Sequence, residues 1–449
     1  MSGFVRSSHY RHVFVEAPKQ EDCYKGFRLA TTTGEQSYIK GNTQFFAVAL
    51  SGGGGPFAVV PYTNKGTFAP NSPIIAGHKG AVLDFDFNPF HPNLIASASD
   101  DSTVKLWGIP TGGLTENLTE ALVDLPGHSK KVTLLKFHPT ASNILASVAA
   151  DCLVKVWDIE KACEVSSMAV HGELIQDLQW DHEGSMWLTS CKDKIVRLGD
   201  ARTNAVVQQV EEAHAGSKSV KIAFLGEQPS PRFVTVGFTK QSQRQLKLWD
   251  QRDLSKPVHK VDIDQAAGVI LPHYDVDTRV LYLCGKGDGN IRYYEMCDGK
   301  PFAFPLSEYR STNAAKGACF IPKRGVDVMR CETARCLKLT QNGGQGVVEP
   351  LSFIVPRKSD TFQEDIFPDT FSGQPSMTAD EWLGGANKPP LKSSLNPSEA
   401  GNASTPTAKA VAAFVPMRSA AQLQRDVDAA HARIALLEAR LKKAGLSTD

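Results

Sequence analysis

Residues 77–107 read GHKGAVLDFDFNPFHPNLIASASDDSTVKLW, and residues 127–157 read GHSKKVTLLKFHPTASNILASVAADCLVKVW. In both segments a histidine stands 23 residues before an aspartate, and that aspartate stands six residues before a tryptophan. The stretches that end at Trp107 and Trp157 alternate apolar and polar residues, as a half-buried β-strand does. Self-similarity at this period is typical of WD repeats, each of which forms one blade of a β-propeller.

Three further copies follow in register, each with fewer of the marker residues. The markers that remain are His171, Asp193 and Gly199-Asp200 in the third copy, Ala213-His214 and Trp249-Asp250 in the fourth, and Asp288 and Tyr294 in the fifth. The closing positions of successive copies lie 50, 42, 50 and 45 residues apart. These intervals match a WD repeat of about 40–45 residues with loop insertions.

Two more strand-rich units complete the count of blades. One runs from about Asn42 to Phe68 around the apolar stretches FFAVAL and FAVVPY, and the other runs from Gly317 to Val355. Together with the five copies they predict an all-β, seven-bladed WD40 β-propeller over residues 1–356. Residues 10–15 form a spare N-terminal strand that would close the ring by pairing with the last blade, because closure removes exposed sheet edges.

The recurring polar residues predict a hydrogen-bonded network in each well-preserved blade. A buried indole N–H and a buried imidazole need partners, since an unsatisfied buried polar group costs about 1–3 kcal/mol. We therefore assign a structural role to two sets of four residues, His78, Ser97, Asp101 and Trp107 in one blade and His128, Ser147, Asp151 and Trp157 in the next. The alternative, a His/Asp catalytic or metal-binding pair, would predict one unique site rather than a recurrence in successive repeats.

Composition and motifs indicate a binding protein of the reduced cytoplasm. The net charge of +1 argues against bulk attraction to nucleic acid. No apolar run is long enough to predict an integral membrane segment. The nine cysteines include no Cys-x-x-Cys pair, so we expect neither a metal site nor a disulfide framework. No Walker loop or hydrolase motif is present, and the glycine-rich stretch CGKGDGN at 284–290 fits a blade turn better than a phosphate loop. We expect no cofactor and no catalysis.

The sequence changes character after Pro356. Residues 357–418 are rich in Pro, Ser, Gly and Asn, which predicts an extension and linker that lies partly on the propeller. From residue 419 the pattern becomes helical, and apolar residues in alternating steps of four and three predict a coiled coil over residues 419–445. The alternative is an amphipathic helix docked on the propeller, but a period of 3.5 residues favours self-association. The heptad core consists of Leu423, Val427, Ala430, Ile434, Leu437 and Leu441, with Arg433 and Glu438 placed for an interhelical ion pair.

Several stretches outside the repeat markers resemble coronins. They are VRSSHYRHVF at 5–14, DCYKGFRL at 22–29, PKRGVDV at 322–328 and VPRKSDTFQEDIFPDT at 355–370. The resemblance covers the propeller and its extension to about Trp382, and a generic WD protein would not share these stretches. It implies that the chain binds filamentous actin and influences the Arp2/3 complex, in the cytoplasm at the actin cytoskeleton and cell cortex.

The resemblance also suggests which residues contact actin. In coronins a basic surface near the first blade does so, and this role carries over to Arg28 and, less directly, to Arg6 and Arg11. A guanidinium group is suited to it, because its forked donors pair with the carboxylates of an acidic filament.

The predicted coil determines how many propellers act together. Coronin coils often carry the pattern Arg, aliphatic, any two residues, aliphatic, Glu, which is associated with trimers, and Arg433 to Glu438 fits it. The heptad core instead favours a dimer, since its a positions are mostly β-branched and leucine is common at d. We give more weight to the motif and expect a trimer. Linked propellers would crosslink or bundle filaments, because linkage raises the effective concentration of each binding site.

Two other functions remain open at this point. A WD-repeat adaptor in a ubiquitin ligase or vesicle coat would share the fold but would not sediment with actin. An enzyme built on a propeller would need a funnel of polar residues at the central channel, which the sequence does not reveal.

Overall fold

The computed structural model describes residues 7–32, 34, 36–226, 231–359, 361–400, 431, 433 and 434. No helix in this part of the chain has the length and apolar character needed to cross a membrane. Of the predicted coiled coil, the described residues are His431, Arg433 and Ile434, which are helical and exposed. The other predicted core positions, Glu438 and Arg6 lie outside the described residues.

The chain starts with two short strands, β1 (Phe14–Glu16) and β2 (Tyr24–Phe27). Blade 1 follows with β3 (Ile39–Gly41), β4 (Phe45–Ala49) and β5 (Phe57–Pro61), and the two-residue strand β6 (Gly66–Thr67) returns to pair with β2. The blade begins three residues before the boundary at Asn42 that the sequence suggested. Its innermost strand is too short to display an alternating pattern.

Blades 2, 3 and 4 are four-stranded antiparallel sheets whose strands follow one another outward from the channel. Blade 2 contains β7 (Val82–Phe87), β8 (Leu94–Ser99), β9 (Thr103–Gly108) and β10 (Val123–Pro126). Blade 3 contains β11 (Val132–Phe137), β12 (Ile144–Ala149), β13 (Val154–Asp158) and β14 (Cys163–Met168). Blade 4 contains β15 (Ile175–Trp180), β16 (Met186–Cys191), β17 (Val196–Asp200) and β18 (Val206–Val210).

Blades 5 and 6 repeat this order, and blade 7 differs in its outer strands. Blade 5 contains β19 (Lys221–Phe224), β20 (Arg232–Phe238), β21 (Arg244–Asp250) and β22 (His259–Asp264). Blade 6 contains β23 (Ile270–Asp275), β24 (Val280–Gly285), β25 (Ile291–Met296) and β26 (Ala303–Tyr309). Blade 7 contains β27 (Ala315–Phe320) and two long strands, β28 (Glu332–Asn342) and β29 (Gln345–Ile354). Two turns of 3₁₀ helix, Lys323–Gly325 and Val328–Arg330, connect β27 to β28.

The innermost strands surround a central channel and contact one another in the order β3, β7, β11, β15, β19, β23, β27 and back to β3. The described residues therefore form seven blades, which confirms the predicted all-β propeller. Acidic side chains join neighbouring inner strands: Asp84 Oδ2 accepts the Leu135 N–H at 2.9 Å, and Asp177 Oδ2 accepts the Ile222 N–H at 3.1 Å. These bonds satisfy backbone donors that no strand ladder reaches.

The ring is closed on β29, which pairs with two N-terminal strands along the same edge. In the register, Val15 of β1 lies opposite Phe353, and Tyr24 of β2 lies opposite Val348. β1 therefore covers the end of β29 and β2 covers its beginning. Strands from both ends of the propeller thus share one sheet, so the closing blade does not offer the long edge of β29 to another chain.

Residues 366–393 cross beneath the channel as a C-terminal strap. It contains β30 (Thr370–Phe371), α1 (Ala379–Leu383) and β31 (Lys392–Ser393), and α2 (Pro397–Ala400) follows. Ile366 is buried against blades 6 and 7, whereas Trp382 is buried against blades 3 and 4. The composition of this interval suggested a linker, and its apolar residues are what dock it.

Trp382 is the main anchor of the strap. Its side chain is 0% exposed, its Nε1–H donates to the Gly184 carbonyl at 3.0 Å, and its ring lies 4.9 Å from that of His138. Burial lowers the pKa of His138 to about 3, so its imidazole is neutral at pH 7 and packs as an apolar surface. A capping box formed by Thr378 and Glu381 starts the short helix that positions the indole.

We expect Trp382→Ala to release the strap. Loss of a buried tryptophan costs about 3–5 kcal/mol. This loss should lower the free energy of strap docking and not the free energy of unfolding of the whole propeller. Hydrogen exchange of the amides in residues 366–393 should therefore accelerate by roughly two orders of magnitude or more, while exchange in the blades stays unchanged. Leu383→Ala is the matched control, because Leu383 is the next residue but 38% exposed. Equal acceleration in both variants would contradict the assignment of Trp382 as the anchor.

Candidate functional site

The two faces of the propeller are distinguished by their loops. The turns that lead from the outermost strand of one blade to the innermost strand of the next lie on one face, together with the hairpins between second and third strands. We call this the upper face. The strap covers the opposite, lower face. Both the histidine and the aspartate of a WD repeat belong to upper-face loops, so their network lies there.

Blade 2 contains the complete four-residue network. His78 Nδ1 lies 2.9 Å from Asp101 Oδ2, and His78 Nε2 lies 2.7 Å from Ser97 Oγ. Trp107 Nε1 donates to the same Ser97 hydroxyl at 2.8 Å. Asp101 also accepts the Lys79 N–H, which ties the inter-blade loop to the third strand. Both imidazole nitrogens are engaged, so His78 is not available as a general base.

Blade 3 repeats the network with nearly the same distances. His128 Nδ1 lies 3.0 Å from Asp151 Oδ2, His128 Nε2 lies 2.8 Å from Ser147 Oγ, and Trp157 Nε1 donates to Ser147 at 2.8 Å. Burial lowers the pKa of both His78 and His128, which keeps them neutral. This geometry is that of a scaffold, in which each buried polar group satisfies another.

Blades 4 and 5 retain parts of the network. In blade 4, His171 Nε2 still reaches Thr189 Oγ1 at 2.8 Å, but Asp193 pairs with Arg197 at 2.7 Å. Gly199 occupies the tryptophan position, and Trp187 fills the space, since a Cβ on Gly199 would lie 2.1 Å from its ring. Blade 5 has a triad of His214, Thr235 and Trp249. Thr235 Oγ1 lies 2.8 Å from His214 Nε2 and accepts a hydrogen bond from Trp249 Nε1 at 2.9 Å.

Blade 6 replaces the histidine network with ion pairs that the sequence pattern does not predict. Asp288 accepts from Arg244 of blade 5 at 2.8 Å. Arg244 also binds Asp264 through two hydrogen bonds of 2.5 and 2.6 Å, and Arg292 reaches Asp264 at 2.9 Å. Arg244 is 1% exposed, so these carboxylates compensate a fully buried charge and join two blades.

The Asp101 carboxylate should make the free energy of unfolding of the propeller depend on pH in the acidic range. Burial alone would raise the pKa of Asp101. Hydrogen bonds from Thr103, the Lys79 N–H and His78 instead hold this pKa at about 2, below its ordinary value of 3.8. A carboxyl with a lowered pKa stabilises the folded state above its unfolded pKa, and that contribution is lost as pH falls through the folded pKa.

We expect Asp101→Asn to lower the free energy of unfolding by about 1.5–3 kcal/mol at pH 7. The difference from the parent chain should shrink as pH falls from about 4 toward 2, because the parent carboxyl is then protonated as well. Urea unfolding at several pH values measures it. Asp100→Asn is the control, since Asp100 is exposed and its carboxylate has no partner among the described residues. A difference that stays constant down to pH 2 would contradict the assignment.

Arg28 lies on the upper rim where blade 7 meets blade 1. It follows β2 directly, and the residues on either side of it, Phe27 and Leu29, are 0% and 7% exposed. Since successive side chains of an extended segment point to opposite sides, Arg28 is exposed. Its carbonyl accepts the Ser51 N–H at 2.8 Å, which fixes the backbone on blade 1.

The loop that follows Arg28 is held by two lysines. Lys286 Nζ donates to the carbonyls of Gly34 at 3.1 Å and Gln36 at 2.7 Å, and Lys316 Nζ donates to the carbonyl of Ala30. Both ammonium groups also lie about 5 Å from the Tyr38 ring, at 5.0 and 5.1 Å. The backbone that carries Arg28 is therefore already fixed before a partner binds, which limits the conformational entropy lost on binding.

Arg11 does not share this surface. It lies in the turn before β1, next to Tyr10, whose hydroxyl donates to the Ile366 carbonyl. β1 pairs with residues 352–354 and β2 with residues 346–348, so Arg11 and Arg28 lie near opposite ends of β29. At about 3.3 Å per residue the separation is roughly 25 Å. The resemblance to coronins suggested an actin contact for both residues, and strand pairing places them at opposite ends of β29.

Three family models match four parts of the chain. A domain of unknown function matches residues 3–67, which contain Arg28 and blade 1, and the WD domain, G-beta repeat, matches residues 71–108 and 119–158. A type of WD40 repeat matches residues 348–390, a stretch that contains the end of β29 and most of the strap.

The chain is similar to several coronins. It is 47% identical to Coronin-A of Dictyostelium discoideum over 396 residues, which cover 88% of this chain and 87% of that protein. It is also 47% identical to human Coronin-2B over 392 residues, which cover 87% of this chain and 80% of the relative. The crystal structure of the WD40 domain of Toxoplasma gondii coronin superimposes with a TM-score of 0.81 at 35% identity, covering 86% of this chain and 98% of that one.

Proposed function

The chain belongs to the coronin family, and we propose that it binds filamentous actin through the upper rim around Arg28. The observation that carries the proposal is the exposure of Arg28 on an anchored rim, within a stretch that family similarity covers. The protein then acts by binding other proteins and not by catalysis. Its place in the cell is the actin cytoskeleton at the cell cortex.

The chemistry of Arg28 suits an acidic filament. A guanidinium group is permanently charged and offers parallel donors that match a carboxylate, so it forms stronger and more directional pairs than a lysine does. Arg6 and Arg11 are secondary candidates. Because Arg11 lies near the other end of β29, its contact would be with a different part of the filament or with a neighbouring actin subunit.

Self-association would strengthen a weak single contact. In this proposal residues 357–418 extend and link the propeller, and residues 419–445 form a parallel coiled coil, for which a trimer is favoured. Two or three linked propellers raise the effective concentration of each rim at the filament and crosslink or bundle neighbouring filaments. Regulation together with the Arp2/3 complex is part of the same proposal and rests on family membership alone.

We expect Arg28→Asp to abolish most sedimentation with filamentous actin, because it replaces an attractive charge by a repulsive one at the rim. Co-sedimentation at several salt concentrations measures the effect, and binding of the parent chain should weaken as salt rises. Lys256→Asp is the matched control: Lys256 is exposed in a lower-face loop, so this variant should sediment like the parent. A parent chain that stays in the supernatant even at low salt would favour the adaptor function instead.

Truncation after Ala400 should weaken actin binding without changing the propeller. It removes the predicted coil, so the avidity gain of roughly 10²–10⁴ from linked sites is lost. Light scattering of the intact chain should give a trimer that dissociates on dilution, and the truncated chain should be monomeric. An intact chain that is monomeric, or dimeric at every concentration, would contradict the proposed assembly.

A further inference from the structure

The central channel contains two connected chambers. The lower chamber has a volume of about 560 Å³, and its lining includes Phe371, Pro390 and Lys392 of the strap. The upper chamber has a volume of about 270 Å³. They meet at a waist whose lining belongs to both chambers: Gly41, Lys136, Gln179, Pro272, His273 and Phe320. The lower chamber falls in the range of about 300–1,000 Å³ that is usual for small-molecule sites.

Lys136 places at the waist an ammonium group that no side chain among the described residues contacts directly. Within the described part of the chain its ammonium forms no hydrogen bond and no ion pair, although it is deep in the channel. The three other lysines of the inner strands are engaged. Lys40 pairs with Asp86 at 3.5 Å, Lys221 donates to the Gln176 carbonyl at 2.6 Å, and Lys316 donates to the Ala30 carbonyl. Burial, assisted by the charge of Lys40, lowers the pKa of Lys136, and the carboxylates of Asp86, Asp177 and Asp84 offset part of this effect.

The nearby carboxylates already have partners. In the inner strands, Asp84 and Asp177 accept backbone N–H groups of neighbouring blades. In the lower chamber, Asp275 pairs with Lys323 and Thr278, Asp277 accepts from Thr370 Oγ1 at 2.6 Å, and Asp181 accepts from Ser185 Oγ at 2.9 Å. An anionic ligand would therefore complement Lys136, whereas a cationic ligand would have to compete with existing donors.

His273 adds a neutral polar group beside Lys136. Its ring stacks on Phe320 with a centroid distance of 4.3 Å and an interplanar angle of 5°, and burial lowers its pKa to about 4. The imidazole is uncharged at pH 7 and, among the described residues, has no hydrogen-bond partner. One ring N–H is thus free to donate. Gln179 of blade 4 adds a carboxamide at the waist.

The walls of the lower chamber are largely apolar. They include Trp180, Phe224, Phe320 and Phe371 together with five prolines, each from a different loop or strand. We propose that the channel binds a small organic anion, with a carboxylate or phosphate group held at the waist by Lys136 and His273 and with an aromatic or alicyclic body in the lower chamber. This site is separate from the Arg28 rim and does not depend on actin binding.

The test measures the thermal unfolding midpoint of the full chain with benzoate, phenyl phosphate, inorganic phosphate and benzamide at millimolar concentrations. Benzoate or phenyl phosphate should raise Tm, and their relative effect separates a carboxylate ligand from a phosphate ligand. Benzamide has the shape of benzoate without its charge and should have no effect. Inorganic phosphate, which lacks the apolar body, should have a smaller effect than phenyl phosphate.

Lys136→Met removes the charge and keeps the length of the side chain. Without a probe its Tm should be close to that of the parent, because among the described residues the ammonium has no hydrogen bond or ion pair to lose. With a probe it should show no shift, which corresponds to a loss of affinity of roughly tenfold or more. Lys136→Arg should retain binding. Lys131→Met is the matched control, since Lys131 is an exposed upper-face lysine just before the same strand, and it should behave like the parent.

Three results would overturn the proposal: no probe raises Tm, benzamide acts as strongly as benzoate, or Lys136→Met keeps the full shift. Inorganic phosphate acting as strongly as phenyl phosphate would overturn the role given to the lower chamber. The comparison of benzoate with benzamide uses the unaltered chain, so it decides the question even if Lys136→Met does not fold. Arg28→Asp should bind the probes normally, which separates this result from the actin experiment.

Discussion

A ring of sheets is stabilised when strands from its two ends share one sheet, because the long outer edge of the closing blade is then covered. Here that closure is made on β29, whose ten residues pair with β1 at one end and with β2 at the other. The same pairing sets the position of the N-terminal segment on both faces. Arg28 is placed on the upper rim by the hydrogen bonds that close the ring, and the turn that contains Arg11 is placed at the lower end.

Within this ring, the blades solve one electrostatic problem in different ways. Polar side chains lie in the loops between blades, and a buried polar group without a hydrogen-bond partner destabilises the fold. Blades 2 and 3 pair them through histidine, serine, aspartate and tryptophan. Blade 5 omits the aspartate, and blade 6 uses the Arg244 ion pairs with blade 5. What the fold requires is a partner for each buried polar group, and not one fixed set of residues.

The periodic features could be predicted from the sequence because each depends on residues close together in the chain. The blades follow from strand alternation, and the networks around His78 and His128 follow from the recurring spacing. The features that were missed join distant residues. Arg244 binds carboxylates 20 and 44 positions away, and Lys136 and His273 meet only because the ring closes. For the strap, composition predicted only partial docking, and the sharper signal was Trp382, because a large aromatic residue in a polar segment rarely remains exposed.

Docking of the strap determines the direction in which the chain leaves the propeller. Trp382 binds beneath blades 3 and 4, and β31 then pairs with β30 under the channel, so the polypeptide continues from the lower face while Arg28 points away from the upper one. The strap and the rim around Arg28 thus occupy opposite faces of the propeller. Contacts made by the strap and contacts made at the rim can therefore form at the same time, because they do not compete for the same surface.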